Sequence, residues 1–520
     1  MNHLSPAPLL LVGNSLAVLV AATERAYRGL ETTIINPAGP LGGYFAGVTA
    51  LGRLHDAGML LYEFQSYTEP ATTPSLDSYD PMKRNDVGRF CSVVRRYVHS
   101  HQHTQPASMP HMWVDGKLLP DMLLGNNVSA VKSLSNSSAI RREISAIEAQ
   151  VKIESRLWHP ANKTAWPLDG AAPADWMFTE GSKPFNCDTL SLQIHGRTLH
   201  ESVFASFARQ VLNRDASHLA ALYHRMPWLP LYWPETLLNA FSGDKPAMMP
   251  TTYHYPDQGS VAAFCNQLAV LVRSIPGIQL IEDSIQRVSR TAQHFEVQTA
   301  RHGTVAAHRM GWAMAPAQGV TLAGGKAAPM NHERLPLILG FIKLPTSSLN
   351  HQISVVHAVS GDTGIYRVTN STHCGAPNDD GFSTLVVEAN PNRFNGFHAC
   401  GTDSDAVQKA MMNDLRTIGL VRENARASAF ELRRFDGALP LPTHSAVSNF
   451  LADREQLLSL LPGVEPLGSS SGPFAIGLSD QIVQGLQMAR RTDSRFDITQ
   501  EPFVARVRQA EVQMRESLPA

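Results

Sequence analysis

The sequence predicts an α/β fold that opens on a Rossmann-like βαβ unit. Three observations predict it. Pro8-Leu9-Leu10-Leu11-Val12 is an apolar run ending at Gly13, as a buried parallel strand would. Ser15 to Arg28 then has helical composition, with Leu16, Leu19, Val20 and Thr23 on one face and Gly29 as the stop. A second apolar run, Thr32 to Ile35, closes a unit of about thirty residues, the layout in which a dinucleotide diphosphate rests on a helix N-terminus.

Composition narrows the field. With 520 residues the chain predicts roughly three domains or one large two-domain enzyme. Lys and Arg total 44 against 45 Asp and Glu, a net charge of −1, which argues against a nucleic-acid binder and against an acidic tail. Hydrophobic residues make up 43% and charged residues 17%, which argues for a compact, ordered chain. The five cysteines stand far apart without a CxxC pair, so no zinc cage or disulfide framework is expected and a cytoplasmic location is. No Lys or Arg precedes the apolar stretch Leu9 to Ala22, and it is too short to span a bilayer, so neither an export signal nor a membrane segment is expected.

The glycine fingerprint is incomplete. Where GxGxxG is expected the chain reads Gly13-Asn14-Ser15-Leu16-Ala17-Val18, keeping the first glycine only. Ser15 adds a side chain where backbone should approach a diphosphate, and its hydroxyl offers a donor in exchange. Asn36 stands where an acid would hold a ribose; its amide still bonds a hydroxyl, without charge assistance. These residues fit both a dinucleotide site and a plain buried βαβ unit.

The continuation is Pro40-Leu41-Gly42-Gly43, then Gly52-Arg53-Leu54-His55-Asp56-Ala57-Gly58. Here the chain resembles the FAD-dependent superfamily of amine oxidases, phytoene desaturases and UDP-galactopyranose mutases. The resemblance implies FAD as cofactor, with Gly13, Asn14, Ser15, Leu16, Asn36, Leu41, Gly42 and Gly43 in contact with it. Tyr255-Pro256-Asp257-Gln258-Gly259 before a helix over Val261 to Ser274, then strand, turn and strand over Ile278 to Val288, resembles the passage that brings a backbone near Val288 to the adenine. Met310 to Pro316 resembles the strand that closes the cofactor domain, and implies a role for Pro316. The serine-rich turn ending in Gly472, followed by Leu478, Ser479 and Asp480, resembles the C-terminal FAD motif; Asp480 is unusual beside phosphate and reads as a helix N-cap.

Within that superfamily the middle of the chain is most similar to UDP-galactopyranose mutases, through Trp113-Val114-Asp115-Gly116-Lys117, Leu222-Tyr223-His224-Arg225-Met226-Pro227, Ile365-Tyr366-Arg367 and Leu385-Val386-Val387-Glu388. The likeness implies Arg367, and more weakly Arg225, as clamps on a substrate diphosphate. Two departures stand against a literal mutase: Met59 replaces the family's histidine beside the flavin, and Ala315 to Val320 replaces its TGxIDxFF passage.

The expected architecture is a discontinuous FAD domain over 1–65, 250–330 and 430–500, with a substrate region of helices and antiparallel sheet over 66–249 and 331–429, apparently interrupted by an insertion near Ser133 to Ser182. The expected function is a flavoenzyme acting on a sugar nucleotide or related polar metabolite. The alternatives are an amine-oxidase or desaturase-like oxidoreductase and a degenerate, non-catalytic partner subunit. The expected partner is a small molecule, with a homodimer or a partner subunit open and neither nucleic acid nor membrane. The 21 histidines, including Ser100-His101-Gln102-His103, show no metal-ligand spacing, so no metal is expected. The aromatic run Trp228 to Pro234 suits a pocket wall and suits a packed loop better.

Overall fold

The computed structural model describes residues 7–491 except 66–69, 71, 73, 84, 85, 155–177, 180–182, 185, 222–227, 244–250, 330–333, 360–362, 375–380, 395–403, 474 and 475. Its first sheet is assembled from three distant stretches of chain. Ala7–Val12 pairs in parallel with Thr32–Asn36 on one side and Thr304–Trp312 on the other. Ile278–Glu282 extends the parallel ladder beyond Thr32–Asn36, and Glu465–Pro466 adds to the far end of Thr304–Trp312. Ile285–Arg290 and Phe295–Thr299 complete an antiparallel meander with Thr304–Trp312.

The unbroken apolar run of the first strand has its cause in this layering. Leu9 and Leu11 face the helices Leu16–Ala26, Val261–Ser274 and Leu478–Arg491, while Leu10 and Val12 face Val297, Trp312, Val320 and Leu457. A strand covered on both faces has no use for alternation. The helix Leu16–Ala26 is covered all round rather than along one stripe, and even Glu24 and Arg25 are buried. Arg25 is satisfied by the Thr32 hydroxyl and the Glu31 carbonyl. Gly485 lets the terminal helix approach closely, since a Cβ there would lie 2.8 Å from the Ala17 carbonyl oxygen.

The second sheet runs in the order Ala429–Pro440, Arg334–Pro345, Phe382–Ala389, Ile365–Asn370, Val355–Ala358, His111–Val114, Lys117–Pro120. All neighbours are antiparallel except Val355–Ala358 with His111–Val114. Leu337, Leu339 and Phe341 pack under a layer that includes Ser137–Glu154, Ala205–Leu212 and Pro234–Ser242. Ile338 and Ile342 face the helix Ser404–Thr417. This is the period-two alternation of a strand covered differently on its two faces.

The interleaving of two regions is as expected, with boundaries adjusted. Ala429–Pro440 pairs with Arg334–Pro345 and so belongs to the second sheet, not to the segment expected to begin at 430. Part of the supposed insertion is integral: Ile140 and Ile144 of Ser137–Glu154 are buried in the helical layer. Residues 155–177 lie outside the described residues. Among the described residues no helix is long and apolar enough to cross a membrane.

Burial raises the Glu24 carboxyl to about 8 from an ordinary 4.5, with Arg28 opposing the rise. The folded state therefore holds this proton more tightly than the unfolded chain does. Stability from this group is full below about pH 4.5 and declines as pH rises toward about 8. Glu24→Gln should flatten that decline, so its advantage over wild type in urea-unfolding midpoint should widen from pH 5 to pH 9. Parallel pH profiles for the two proteins would remove Glu24 as the cause.

Candidate functional site

The turn after the first strand leaves a helix N-terminus without a side-chain cap. Gly13 has φ +117°, and a Cβ there would lie 3.1 Å from Ala313, so the turn needs glycine on both counts. Ser15 occupies the N-cap position of Leu16–Ala26, yet its side chain makes no capping bond, and its buried Oγ has no partner among the described residues. The loop after the second strand closes on this turn: the Gly42 amide donates to the Asn14 carbonyl at 2.6 Å, and the Asn14 side chain donates to Ala38 and Pro40. Gly42 has φ +95°, and a Cβ on it would overlap Cys265 Sγ. Gly468 reaches Ser15 from the C-terminal segment, where a Cβ would lie 2.8 Å from the hydroxyl oxygen. Asn36 is buried with Nδ2 donating to Gly39 and Oδ1 unpartnered.

Thus Gly13, Asn14, Ser15, Leu16, Gly42, Gly43 and Gly468 converge on one helix N-terminus, with Asn36 ending the adjacent strand and buried Leu41 leading into the glycine pair. An uncapped helix N-terminus with an orphan hydroxyl suits a diphosphate, and an orphan amide oxygen suits a ribose hydroxyl. The residues present therefore fit an FAD nucleotide at this end.

The other expected contacts lie outside this group of residues. Val288 pairs with Val297 on the edge strand of the meander, its side chain in the core with Val12 and Ile35. Pro316 starts the helix Pro316–Leu322 rather than ending a strand. Gly472 lies against the Pro81 backbone, and Leu478 is buried in the core. Asp480 is not an N-cap: it is the third residue of the terminal helix, accepting from the Tyr79 hydroxyl at 2.8 Å and from the Gly477 amide, the geometry of a capping box. Burial raises its carboxyl to about 7. Ser479 precedes it in the same turn.

A second cluster lies where the two sheets meet. Asp56 is buried and accepts from the Tyr255 hydroxyl at 2.7 Å and the Ala262 amide at 2.7 Å, so it caps the helix Val261–Ser274 from a different segment of chain. Three residues on, the Met59 amide donates to Glu388 Oε1 at 3.0 Å. Between them Gly58 passes so close to that carboxylate that a Cβ would lie 3.3 Å from it. Tyr44 exposes 45% of its surface, while its hydroxyl donates inward to the Ala57 carbonyl at 3.0 Å.

Arg367 is not a free clamp. Its Nε donates to Glu388 Oε1 at 2.7 Å and its Nη2 to Oε2 at 2.5 Å, with both side chains 1% exposed. Burial alone lowers this guanidinium, and the Glu388 carboxylate more than reverses it. The Tyr366 hydroxyl donates to Oε2 at 3.2 Å, and the Trp228 ring covers the guanidinium at 4.1 Å. Trp228 holds φ +57°, a left-handed backbone that costs a non-glycine residue on the order of 1 kcal/mol or more. Only Arg367 Nη1 is left, buried and unpartnered. Arg225 lies outside the described residues.

The sequence reading gave no role to Tyr44; it named Glu388 and Asp56 only as parts of motifs, Met59 only as a departure from the family, and Trp228 only within a run suited to a pocket wall or a packed loop. A signal existed for Glu388: it and Arg367 are lone charges in apolar strands, Leu385-Val386-Val387-Glu388-Ala389 and Ile365-Tyr366-Arg367-Val368, and such charges need each other.

The fold defined here is that of FAD-binding oxidoreductases and mutases. The chain is similar to reduced UDP-galactopyranose mutase, with a TM-score of 0.66 and 11% identity over 97% of this chain and 98% of that one. It is similar also to cyclohexylamine oxidase from Brevibacterium oxydans, with a TM-score of 0.54 and 13% identity over 94% and 99%. Putrescine oxidase bound to putrescine matches with a TM-score of 0.54 and 12% identity over 94% and 98%. No protein-family model matches the sequence, and no curated protein does.

Arg367→Ala should strand the Glu388 carboxylate inside the protein and cost about 3–5 kcal/mol of stability. Pairing Arg367→Met with Glu388→Gln should restore most of it. Urea unfolding checks both, and a wild-type midpoint for Arg367→Ala would show that the ion pair is not buried in solution.

Proposed function

We propose that this protein is an FAD-dependent flavoenzyme acting on a polar metabolite in the cleft beside Tyr44 and Ala57 to Met59. The observation that carries this reading is the convergence of Gly13, Ser15, Gly42 and Gly468 on an uncapped helix N-terminus. The likeness of fold to a mutase and to two amine oxidases supports it.

The helix N-terminus and the Ser15 hydroxyl would hold the diphosphate, and Asn36 Oδ1 would accept from the ribose. Bound there, FAD supplies an isoalloxazine ring able to take up or return an electron pair. The chain's own part is to orient and to exclude water: Tyr44 offers a half-exposed flat face, Tyr366 is buried behind it, and the paired charges of Arg367 and Glu388 add no net charge. A diphosphate gripped in bidentate fashion needs a free guanidinium fork, and the fork of Arg367 is taken by Glu388. The reading is therefore for a polar metabolite, without the diphosphate clamp that the sequence assigns to Arg367.

The test is a spectrum of the purified full-length chain after incubation with FAD and removal of the excess. A retained flavin band, with FAD released on heating, is expected; a colourless protein would overturn the proposal and leave the non-catalytic partner subunit. Bleaching of the band by an amine or alcohol without added reductant marks an oxidase, whereas isomerisation that needs prior reduction marks a mutase. Ser15→Ala should weaken FAD binding roughly 2- to 10-fold, the worth of one hydrogen bond of about 0.5–1.5 kcal/mol. Titration by flavin fluorescence measures it, and unchanged affinity would remove Ser15 from the diphosphate.

A further inference from the structure

We propose that Glu388 is a positioning residue, whose carboxylate holds the backbone of Ala57 to Met59 at the cleft and so sets what a bound flavin meets there. The inference rests on the flavoenzyme reading for what the segment faces, and on the geometry alone for the tether.

Glu388 stands on Phe382–Ala389 of the second sheet, while Met59 follows the Arg53–His55 strand of the N-terminal segment, 329 positions away in the chain. One carboxylate joins them. Oε1 accepts from the Met59 amide at 3.0 Å and from Arg367 Nε at 2.7 Å; Oε2 accepts from Arg367 Nη2 at 2.5 Å and from the Tyr366 hydroxyl at 3.2 Å. Both oxygens are thus engaged twice, and a carboxylate bound by a bidentate arginine has little freedom to turn. Gly58 fits the arrangement, because its backbone runs past the carboxylate at a distance that leaves no slack for a side chain. The Tyr44 hydroxyl donates to the preceding carbonyl, of Ala57. The strands Ile365–Asn370 and Phe382–Ala389 fix the pair rigidly, with Arg367 in register with Glu388. The charges of the pair satisfy each other rather than meet a ligand, and what reaches Met59 is the acceptor oxygen, held by the strand that carries it.

The test separates the acceptor from the charges. Arg367→Met with Glu388→Gln removes both charges and keeps an oxygen for the Met59 amide. Arg367→Met with Glu388→Met removes the oxygen as well. Hydrogen exchange is read at Met59, and the absorbance of bound flavin is read in the FAD-loaded protein. The Met/Gln pair should keep the wild-type exchange rate and spectrum. The Met/Met pair should exchange the Met59 proton about tenfold faster or more, as loss of a bond to a carboxylate implies, and should shift the flavin band. Equal exchange in the two pairs overturns the proposal, and so does faster exchange with an unshifted band.

Should the Met/Met pair fail to fold, Glu388→Asp with Arg367 intact keeps both charges and withdraws the acceptor by one methylene. Faster Met59 exchange is expected there too, and a wild-type rate overturns the tether. If the wild-type chain takes up no FAD, the flavoenzyme reading fails on its own, and Met59 exchange still decides whether Glu388 holds the segment.

Discussion

Two buried carboxylates grip four consecutive residues, and the meeting of the two sheets depends on that grip. Asp56 donates no charge to solvent; it takes the amides at the start of Val261–Ser274 and the Tyr255 hydroxyl. Glu388 takes the amide of Met59. The first fastens the segment to the helix Val261–Ser274, the second to the antiparallel sheet. Burial raises the Asp56 carboxyl to about 6, and its three hydrogen bonds oppose the rise.

The same constraint explains why the segment Asp56 to Met59 stays between the two layers. Backbone that runs between two layers and is bonded to both cannot collapse onto either. Tyr44 stays partly exposed with its hydroxyl turned inward, and Gly58 keeps the chain thin where the carboxylate passes. Trp228 seals the outer face of Arg367 at the expense of a left-handed backbone, so the ion pair stays dry. A dry pair is strong only while both members are present, which ties the stability of the protein to the geometry of its cleft.

At the N-terminus of Leu16–Ala26 the chain differs from a full glycine fingerprint without abandoning its logic. A glycine in place of Ser15 would offer backbone alone; Ser15 offers a hydroxyl without a partner among the described residues, packed against Gly468. Losing bulk at Gly468 compensates for gaining it at Ser15. The glycine requirement has moved from one side of the groove to the other.

The sequence alone determined the local elements. The apolar run Leu9 to Val12, the helix Val261–Ser274 and the strand, turn and strand after it follow from periodicity and from Gly and Ser stops, which act over a few residues. Gly13 and Gly42 were legible because a sharp turn admits little else. Tertiary structure decided the rest. Whether Arg367 clamps a ligand or answers Glu388 depends on two strands lying side by side in register, and nothing local fixes that register. The strand Ala429–Pro440 joined the second sheet because Arg334–Pro345 presented an open edge. The buried faces of Leu16–Ala26 were filled by two helices hundreds of residues away in the chain, Val261–Ser274 and Leu478–Arg491. Burial and charge pairing are sums over neighbours that the sequence separates by hundreds of residues, so only the folded chain brings them to one place.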